Sequence, residues 1–285
     1  MRIVSTLSAV TLVILASSLA AQSTAQVSVD SLGNEGGAYS EIASISADGR
    51  FVAFNSYASN LVAGDTNGTT DIFVHDRLTG VTERVSVDTA GAEANNGCYV
   101  ASISPDGRFV AFHSAASNLV SGDTNGKYDV FVHDRVNGIT ERVSVDSVGG
   151  EANDQSFIGA VGPAMSNDGR FVTFESDATN LVGGDTNGQM DIFVHDRITG
   201  VTERVSVDSA GGEGDAHSAL GTISGDGSLV VFESFATNLV PADANGCIDI
   251  FVRERSSGTT QRVSVSPGGG DSDGDSYVPT ISADG

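Results

Sequence analysis

Short apolar runs recur along the whole chain and are separated by polar turns rich in glycine, aspartate and asparagine. One period, residues 100–146, reads VASIS, PDGR, FVAFHS, a longer polar loop, DVFVHDR, VNG and ITERVSVD. Runs rich in Val, Ile, Phe and Thr, bounded by Asp-Gly and Asn-Gly, are typical of β-strands joined in hairpins. Each period therefore predicts four antiparallel strands, and no amphipathic helix is indicated.

The tight turn that ends in Asp-Gly recurs about every 60 residues, at Gly49, Gly107, Gly169, Gly227 and Gly285. Four strands in a repeat of this length are typical of one blade of a β-propeller. Runs such as RFVAF and DIFV are nearly continuously apolar, as expected when neighbouring blades cover both faces of a blade. We predict an all-β fold, a β-propeller of four-stranded antiparallel blades over residues 26–285, with four near-complete blades and a partial one.

The stretches ISPDGRFVAFHS and DVFVHDRVNGITERVSVD together resemble one blade of the TolB-type, WD-repeat-like propellers. In that family a Ser-Pro-Asp-Gly-Arg turn precedes an apolar strand. The chain departs from this pattern in its SADG, SNDG and SGDG turns and in an added GDTNG loop. The resemblance implies a propeller but no single function, because such propellers serve as docking modules, peptidase gates and lyases.

The two ends of the chain read differently from the repeats. Residues 1–25 contain one positive charge, Arg2, then an apolar run that ends in small residues, which is typical of a secretory signal peptide. The run is too short for a convincing membrane span, so we predict an exported chain, secreted or periplasmic, without a span in its mature form. Residues 276–285 read as a first strand that stops inside its turn, so the propeller is expected to be C-terminally incomplete.

The chain is strongly acidic, with 37 acidic against 14 basic residues and a formal net charge of −23. Such a surface repels nucleic-acid phosphates and anionic membranes, so we expect no nucleic-acid partner. It favours cations and cationic partners. We expect the partner to be a protein or another extracellular ligand, which the sequence does not identify.

The acidic loop GDTNG occurs four times, the last time as ADANG. Calcium takes six to eight oxygen ligands, which loops of Asp and Asn with a glycine supply compactly. Each loop offers one ligand fewer than a full calcium loop, so a further oxygen is expected from backbone, water or a neighbouring segment such as GAEANN. Asx side chains and Asn-Gly also suit a plain turn, so both interpretations stay open. The candidate calcium ligands are Asp65, Asn67, Asp71, Asp123, Asn125, Asp129, Asp185, Asn187, Asp191, Asp243, Asn245 and Asp249.

The triplet HDR occurs three times and becomes RER in the fourth repeat, which favours a structural network over a single catalytic site. Function peculiar to this chain is expected where the repeats differ, as at Asn55, His113, Glu175 and Glu233. Tyr99 and Tyr277 fall beside the channel mouth, where they suit a ligand platform or ordinary packing.

Two functional interpretations follow. The leading one is an exported, non-enzymatic binding or scaffold module, with calcium in the repeated loops as a candidate structural ligand. The alternative is an extracellular hydrolase or lyase, whose candidate residues at the channel mouth are His113, Glu175, His217 and Glu233. Topology also predicts an acidic face that carries Asp65, Asp71, Asp88 and Glu93, and an opposite face that carries Arg50, Arg77, Arg84 and their equivalents.

Overall fold

The computed structural model describes residues 24–159 and 162–285, so the predicted signal peptide lies almost entirely outside the described residues. All the regular elements of this part of the chain are β-strands. The described residues include no helix that is long and apolar enough to span a bilayer. The strands form four antiparallel sheets of four consecutive strands each. The predicted all-β propeller of four-stranded blades is confirmed.

The strand bounds show how regular the repeat is. The strands are β1 (Ser40–Ile45), β2 (Phe51–Ser56), β3 (Asp71–Asp76) and β4 (Thr82–Arg84) in blade 1; β5 (Cys98–Ile103), β6 (Phe109–Ser114), β7 (Asp129–Asp134) and β8 (Ile139–Arg142) in blade 2; β9 (Ser156–Phe157), β10 (Phe171–Ser176), β11 (Asp191–Asp196) and β12 (Val201–Arg204) in blade 3; β13 (Ser218–Ile223), β14 (Leu229–Ser234), β15 (Asp249–Glu254) and β16 (Thr259–Arg262) in blade 4. Blade 3 departs from the pattern, because its inner strand has only two residues.

The tight turn between the first two strands is built by its own polar side chains. In blade 2 the Ser104 hydroxyl donates to Asp106 at 2.6 Å, and the Gly107 N–H donates to the Ser104 carbonyl at 2.8 Å. Gly107 has a φ of 75°, a left-handed conformation that glycine adopts without steric cost. The turn therefore needs the Asp-Gly pair for its geometry.

The hydrophobic core lies mainly in the seams between blades. One cluster joins Ile72 and Val74 of blade 1 to Val110, Phe112 and Phe131 of blade 2. All six residues of β7 are buried, which explains why its sequence does not alternate between polar and apolar residues.

Arginine side chains stack on phenylalanine rings between neighbouring blades, beside the turns that join the first and second strands. The Phe51 ring of blade 1 lies between the guanidinium groups of Arg50 and Arg135, at 4.6 and 4.4 Å from its centroid. Arg135 also donates from Nε to Glu83 of blade 1 at 2.6 Å. Phe109 and Phe171 repeat this arrangement in the next two blades.

The propeller has two chemically different faces, which we name by their connections. The turn face carries the turns between the first and second strands and between the third and fourth strands of each blade, such as residues 46–50 and 77–81. The loop face carries the loops between second and third strands, such as residues 57–70, and the connections between blades, such as residues 85–97.

Candidate functional site

Three segments bring carboxylates together at each acidic loop of the loop face. In blade 1 Asp65 comes from the loop, Asp71 is the first residue of β3, and Glu93 comes from the connection to blade 2. One carboxylate oxygen of each lies within 4.8 Å of the others. Glu93 belongs to the GAEANN segment from which a further oxygen was expected. Its equivalents in the other blades are Glu151, Glu213 and Asp271.

An arginine side chain lies among these carboxylates. Nη1 of Arg84 is 2.8 Å from Glu93, 3.5 Å from Asp71 and 3.7 Å from Asp65. The prediction that Arg84 lies on the opposite face was wrong. Strand β4 runs toward the loop face and pairs Arg84 with Phe73, two residues from Asp71, so the long side chain reaches the cluster. The equivalent arginines are Arg142, Arg204 and Arg262.

The asparagines that were candidate calcium ligands form hydrogen bonds with nearby protein groups instead. Nδ2 of Asn67 donates to Asp71 at 3.0 Å and to the Ala94 carbonyl at 2.9 Å. Its Oδ1 accepts the Thr69 N–H at 3.0 Å, which is the turn-capping role of an Asx residue. The same contacts to the blade's own aspartate and backbone recur at Asn125, Asn187 and Asn245.

Each cluster contains three carboxylates and one guanidinium, so negative charge is in excess. Burial, and then repulsion from Asp129, raises the pKa of Asp123 to about 6. Burial likewise raises the pKa of Asp185 to about 6, although Arg204 opposes the shift. Oδ1 of Asp185 is buried without a hydrogen-bond partner among the described residues. One arginine therefore leaves each cluster short of positive charge.

The HDR triplet forms a network at the turn face, as the sequence predicts. Asp76 accepts two hydrogen bonds from Arg50, at 2.9 and 2.7 Å, and Arg77 donates to the Gly49 carbonyl at 2.6 Å. His75 shares a hydrogen bond with Thr82 at 2.8 Å. These contacts tie the strands of one blade together.

The residues that differ between the repeats brace the neighbouring blade. Oε2 of Glu175 accepts the N–H of Leu220, and Oε2 of Glu233 accepts the N–H of Val278, both at 2.8 Å. Leu220 and Val278 have φ values of 53° and 57°, a conformation that costs free energy in a residue with a branched or bulky side chain. The two glutamates thus stabilise strained backbone across a seam, a role that the sequence analysis missed because it depends on inter-blade geometry.

His113 lies in an aromatic cluster between blades 2 and 3. Its ring is 6.0 Å from Tyr99, 5.7 Å from Tyr128 and 5.3 Å from Phe157. Burial lowers the pKa of His113 to about 4, so its imidazole is neutral at physiological pH. Nδ1 of His113 accepts the Ile158 N–H at 3.4 Å.

The four candidate catalytic side chains are not joined to one another. In the part of the chain that the structure describes, no hydrogen bond links any two of His113, Glu175, His217 and Glu233. Burial, and then the charge of Glu233, raises the pKa of Glu175, so the two glutamates do sense each other. His217 instead stands 6.4 Å from the ring of Phe235.

No family model and no curated protein sequence matches this chain. Among solved structures it is similar to TolB from Acinetobacter baumannii, with 19% identity over 79% of this chain and 43% of that one and a TM-score of 0.46. It is also similar to a putative TolB from Agrobacterium tumefaciens, with 19% identity over 80% and 63% and a TM-score of 0.48. A puromycin-hydrolysing peptidase from Mycobacterium tuberculosis matches with 12% identity over 80% and 29% and a TM-score of 0.49.

The chain spans less than two thirds of the length of either TolB chain. At these identities and TM-scores, no residue role and no function is transferred from these structures.

Proposed function

We propose that this chain is an exported, non-enzymatic β-propeller that acts as a binding or scaffold module for a protein or another extracellular ligand. The observation that carries the proposal is the use of the candidate catalytic residues as braces. Glu175 and Glu233 each bind a backbone N–H of the next repeat. A general acid or base must instead reach a proton of the substrate.

Export is inferred from the sequence of residues 1–25, with its single positive charge, apolar run and small residues. The acidic surface is consistent with a partner that carries positive charge, because like charges disfavour association.

Glutamine variants separate the module from the alternative hydrolase or lyase. In Glu175→Gln and Glu233→Gln the amide oxygen still accepts the backbone N–H, but the side chain no longer transfers a proton. We expect both variants to unfold near the wild-type midpoint, and neither wild type nor variants to turn over ester, anilide or uronide substrates. Wild-type turnover that survives chelation and disappears in one of these variants would establish the enzyme instead.

We further propose calcium as a structural ligand of the acidic loops. The support is the donor set, in which oxygens of Asp65, Asp71 and Glu93 are close enough for one cation to span them, together with the excess of negative charge. Arg84 is a built-in competitor, because its Nη1 contacts the same oxygens. Calcium would therefore bind only as the guanidinium turns aside, and binding to the folded state alone would raise stability.

Thermal unfolding with calcium, and with magnesium at matched ionic strength, tests this proposal. A rise in the melting temperature specific to calcium is expected, and it should disappear when Asp65, Asp123, Asp185 and Asp243 are all replaced by alanine. Asp273→Ala is the matched control, because Asp273 is an exposed acid outside the loops. An unchanged wild-type melting temperature would mean that the arginine is the only cation of the loop and that GDTNG is a turn.

A further inference from the structure

In blades 2, 3 and 4, the fifth residue of the second strand binds a backbone N–H of the segment that follows the blade. The N–H lies 45 residues further along the chain in each case. In blades 3 and 4 the side chain is Glu175 or Glu233, and the hydrogen bond is 2.8 Å long. In blade 2 it is His113, whose Nδ1 accepts the Ile158 N–H at 3.4 Å. The contact of blade 2 is thus the longest of the three, and its acceptor is an imidazole.

The inner edge of blade 3, which His113 contacts, has little sheet pairing of its own. Strand β9 has two residues and pairs with β10 only through Ser156 and Phe157, whereas β13 in blade 4 has six residues. The repeat is also longer here, with 62 residues between successive Asp-Gly turns against 58 in the next repeat. Ile158 follows β9 directly and is 2% exposed in the core between blades 2 and 3. The His113 contact therefore contributes more to fixing this segment than the Glu175 contact contributes to fixing β13.

The groups that surround the His113 ring are uncharged. Strand β5 brings Tyr99 to 6.0 Å, the loop before β7 brings Tyr128 to 5.7 Å, and β9 brings Phe157 to 5.3 Å. Strand β7 places Val130 opposite His113 in the sheet. Both tyrosine hydroxyls stay neutral in acid, because a phenol ionises only near pH 10.

Charged side chains on the neighbouring elements are engaged with other groups. They are Lys127 bound to Asp154, Asp129 bound to Ser144 and Arg142, and Glu175 bound to the Leu220 N–H. Burial alone lowers the pKa of His113 to about 4. A proton on this ring would therefore be a buried positive charge without a carboxylate partner among the described residues.

Protonation also changes the hydrogen bonds that the ring makes. A neutral imidazole has one acceptor nitrogen, whereas an imidazolium has two donors and no acceptor. The Ile158 N–H would then face a second N–H, and a buried N–H without an acceptor costs free energy. A protonated carboxyl group keeps an acceptor oxygen, so Glu175 still binds the Leu220 N–H in acid.

We propose that the seam between blades 2 and 3 is an acid-sensitive switch, in which protonation of His113 removes the acceptor of the Ile158 N–H and releases β9 from blade 2. The seam between blades 3 and 4 stays closed under the same conditions, because Glu175 keeps its acceptor oxygen. Opening lets water hydrate the imidazolium, which offsets the loss of packing. The inference goes beyond the proposed binding role and adds a conformational change that pH controls.

Hydrogen–deuterium exchange of the full-length chain, measured by mass spectrometry, tests this switch. Residues 156–158 are compared with residues 218–220 at pH 7 and at pH 4, after correction for the intrinsic exchange rate at each pH. We expect protection of residues 156–158 to fall at least about tenfold in acid, because the open segment binds the proton more tightly than the closed one. Protection of residues 218–220 should change less than about twofold.

The variant His113→Gln keeps an acceptor oxygen that does not titrate, so residues 156–158 should lose less than about twofold of their protection in acid. The matched control is His217→Gln. The His217 ring lies 6.4 Å from Phe235, and in the described part of the chain it binds no backbone N–H. This control should keep the full acid-induced loss. If circular dichroism shows that His113→Gln does not fold, the comparison of the two wild-type segments still decides.

Equal losses in the two wild-type segments would overturn the proposal, because acid would then loosen the chain as a whole. A loss at residues 156–158 that persists in a folded His113→Gln would overturn it as well, by showing that another group titrates at this seam. Either result leaves the scaffold role standing, because that role is tested separately by the substrate assays on the glutamine variants of Glu175 and Glu233.

Discussion

The two arginine–carboxylate groups of a single blade behave in opposite ways. On the turn face of blade 2, Asp134 accepts two hydrogen bonds from Arg108 at 3.0 and 2.7 Å, and these bonds hold its pKa well below the usual range. On the loop face of the same blade, Arg142 lies 3.0 to 3.6 Å from three carboxylates. There the pKa of Asp123 is raised to about 6.

The difference comes from stoichiometry and burial. One guanidinium paired with one carboxylate satisfies both charges, and the partly exposed Arg108 keeps contact with water. One guanidinium beside the buried side chains of Asp123 and Asp129 and the partly exposed Glu151 cannot compensate for the lost hydration of the two buried carboxylates. The turn-face pair therefore balances its charges, while the loop-face cluster keeps an excess of negative charge.

Removing the two arginines in turn gives the largest expected effect. Arg142→Met leaves three carboxylates without a cation, and we expect a loss of about 3–5 kcal/mol in the free energy of unfolding. Arg108→Met breaks a pair whose arginine side chain is 39% exposed, and we expect a loss of about 1 kcal/mol. Urea unfolding at neutral pH measures both.

Losses of similar size would show that the stability of the loop cluster depends on its arginine no more than that of the turn pair does.

Adding calcium to the same unfolding measurements sharpens the comparison. If the loop oxygens bind the metal, calcium should restore stability to Arg142→Met more than to the wild type, because the competing guanidinium is gone.

The second-largest effect is expected from alanine substitution of two glycines, one on each face, because each glycine has a positive φ. Gly107 on the turn face has a φ of 75°, and a Cβ there would overlap the ring of Phe51 across the seam. Gly126 on the loop face has a φ of 65° with open space around it. We expect Gly107→Ala to cost about 2–4 kcal/mol, since overpacking adds to strain, and Gly126→Ala about 1 kcal/mol.

Thermal unfolding of the two alanine variants checks this ranking. If Gly126→Ala were the more damaging, the acidic loop rather than the inter-blade seam would be the less tolerant part of the repeat.

The sequence was sufficient for the blade architecture because each period repeats the same strand and turn chemistry. Continuous apolar runs such as β7 correctly indicated strands covered on both faces. The position of Arg84 could not be obtained in this way, because it depends on strand direction and on the reach of a long side chain. The role of Glu175 depends on a bulged strand 45 residues further along the chain, and no local pattern reveals such a contact.

The pH dependence of the free energy of unfolding provides a third comparison. The first group considered is His113, near the loop face. The pKa of His113 is lowered to about 4 by burial, so the unfolded chain binds its proton more readily than the folded chain. Stability from the neutral imidazole is complete above pH 6.5 and falls as the pH drops toward 4, by up to about 1.4 kcal/mol per pH unit. The stability difference between wild type and His113→Gln should therefore narrow as the pH is lowered through this window.

Urea unfolding of both proteins between pH 7 and 4 measures that difference. A constant difference would mean that His113 takes up its proton as readily in the folded chain as in the unfolded chain, so that burial among its aromatic neighbours does not lower its pKa.

The turn face should respond only at lower pH, and with the smallest effect. The pKa of Asp134 is depressed below its ordinary value of 3.8 by Arg108, so its stabilising contribution is present above that value and is lost as the pH falls further. We expect Asp134→Asn to be less stable than wild type by about 1 kcal/mol at neutral pH, and the difference to stay constant down to about pH 4. It should then shrink as the unfolded chain takes up its proton. A difference that already closes between pH 6 and 5 would place the titration of Asp134 in the range of the loop-face acids, and the electrostatic contrast between the two faces would be lost.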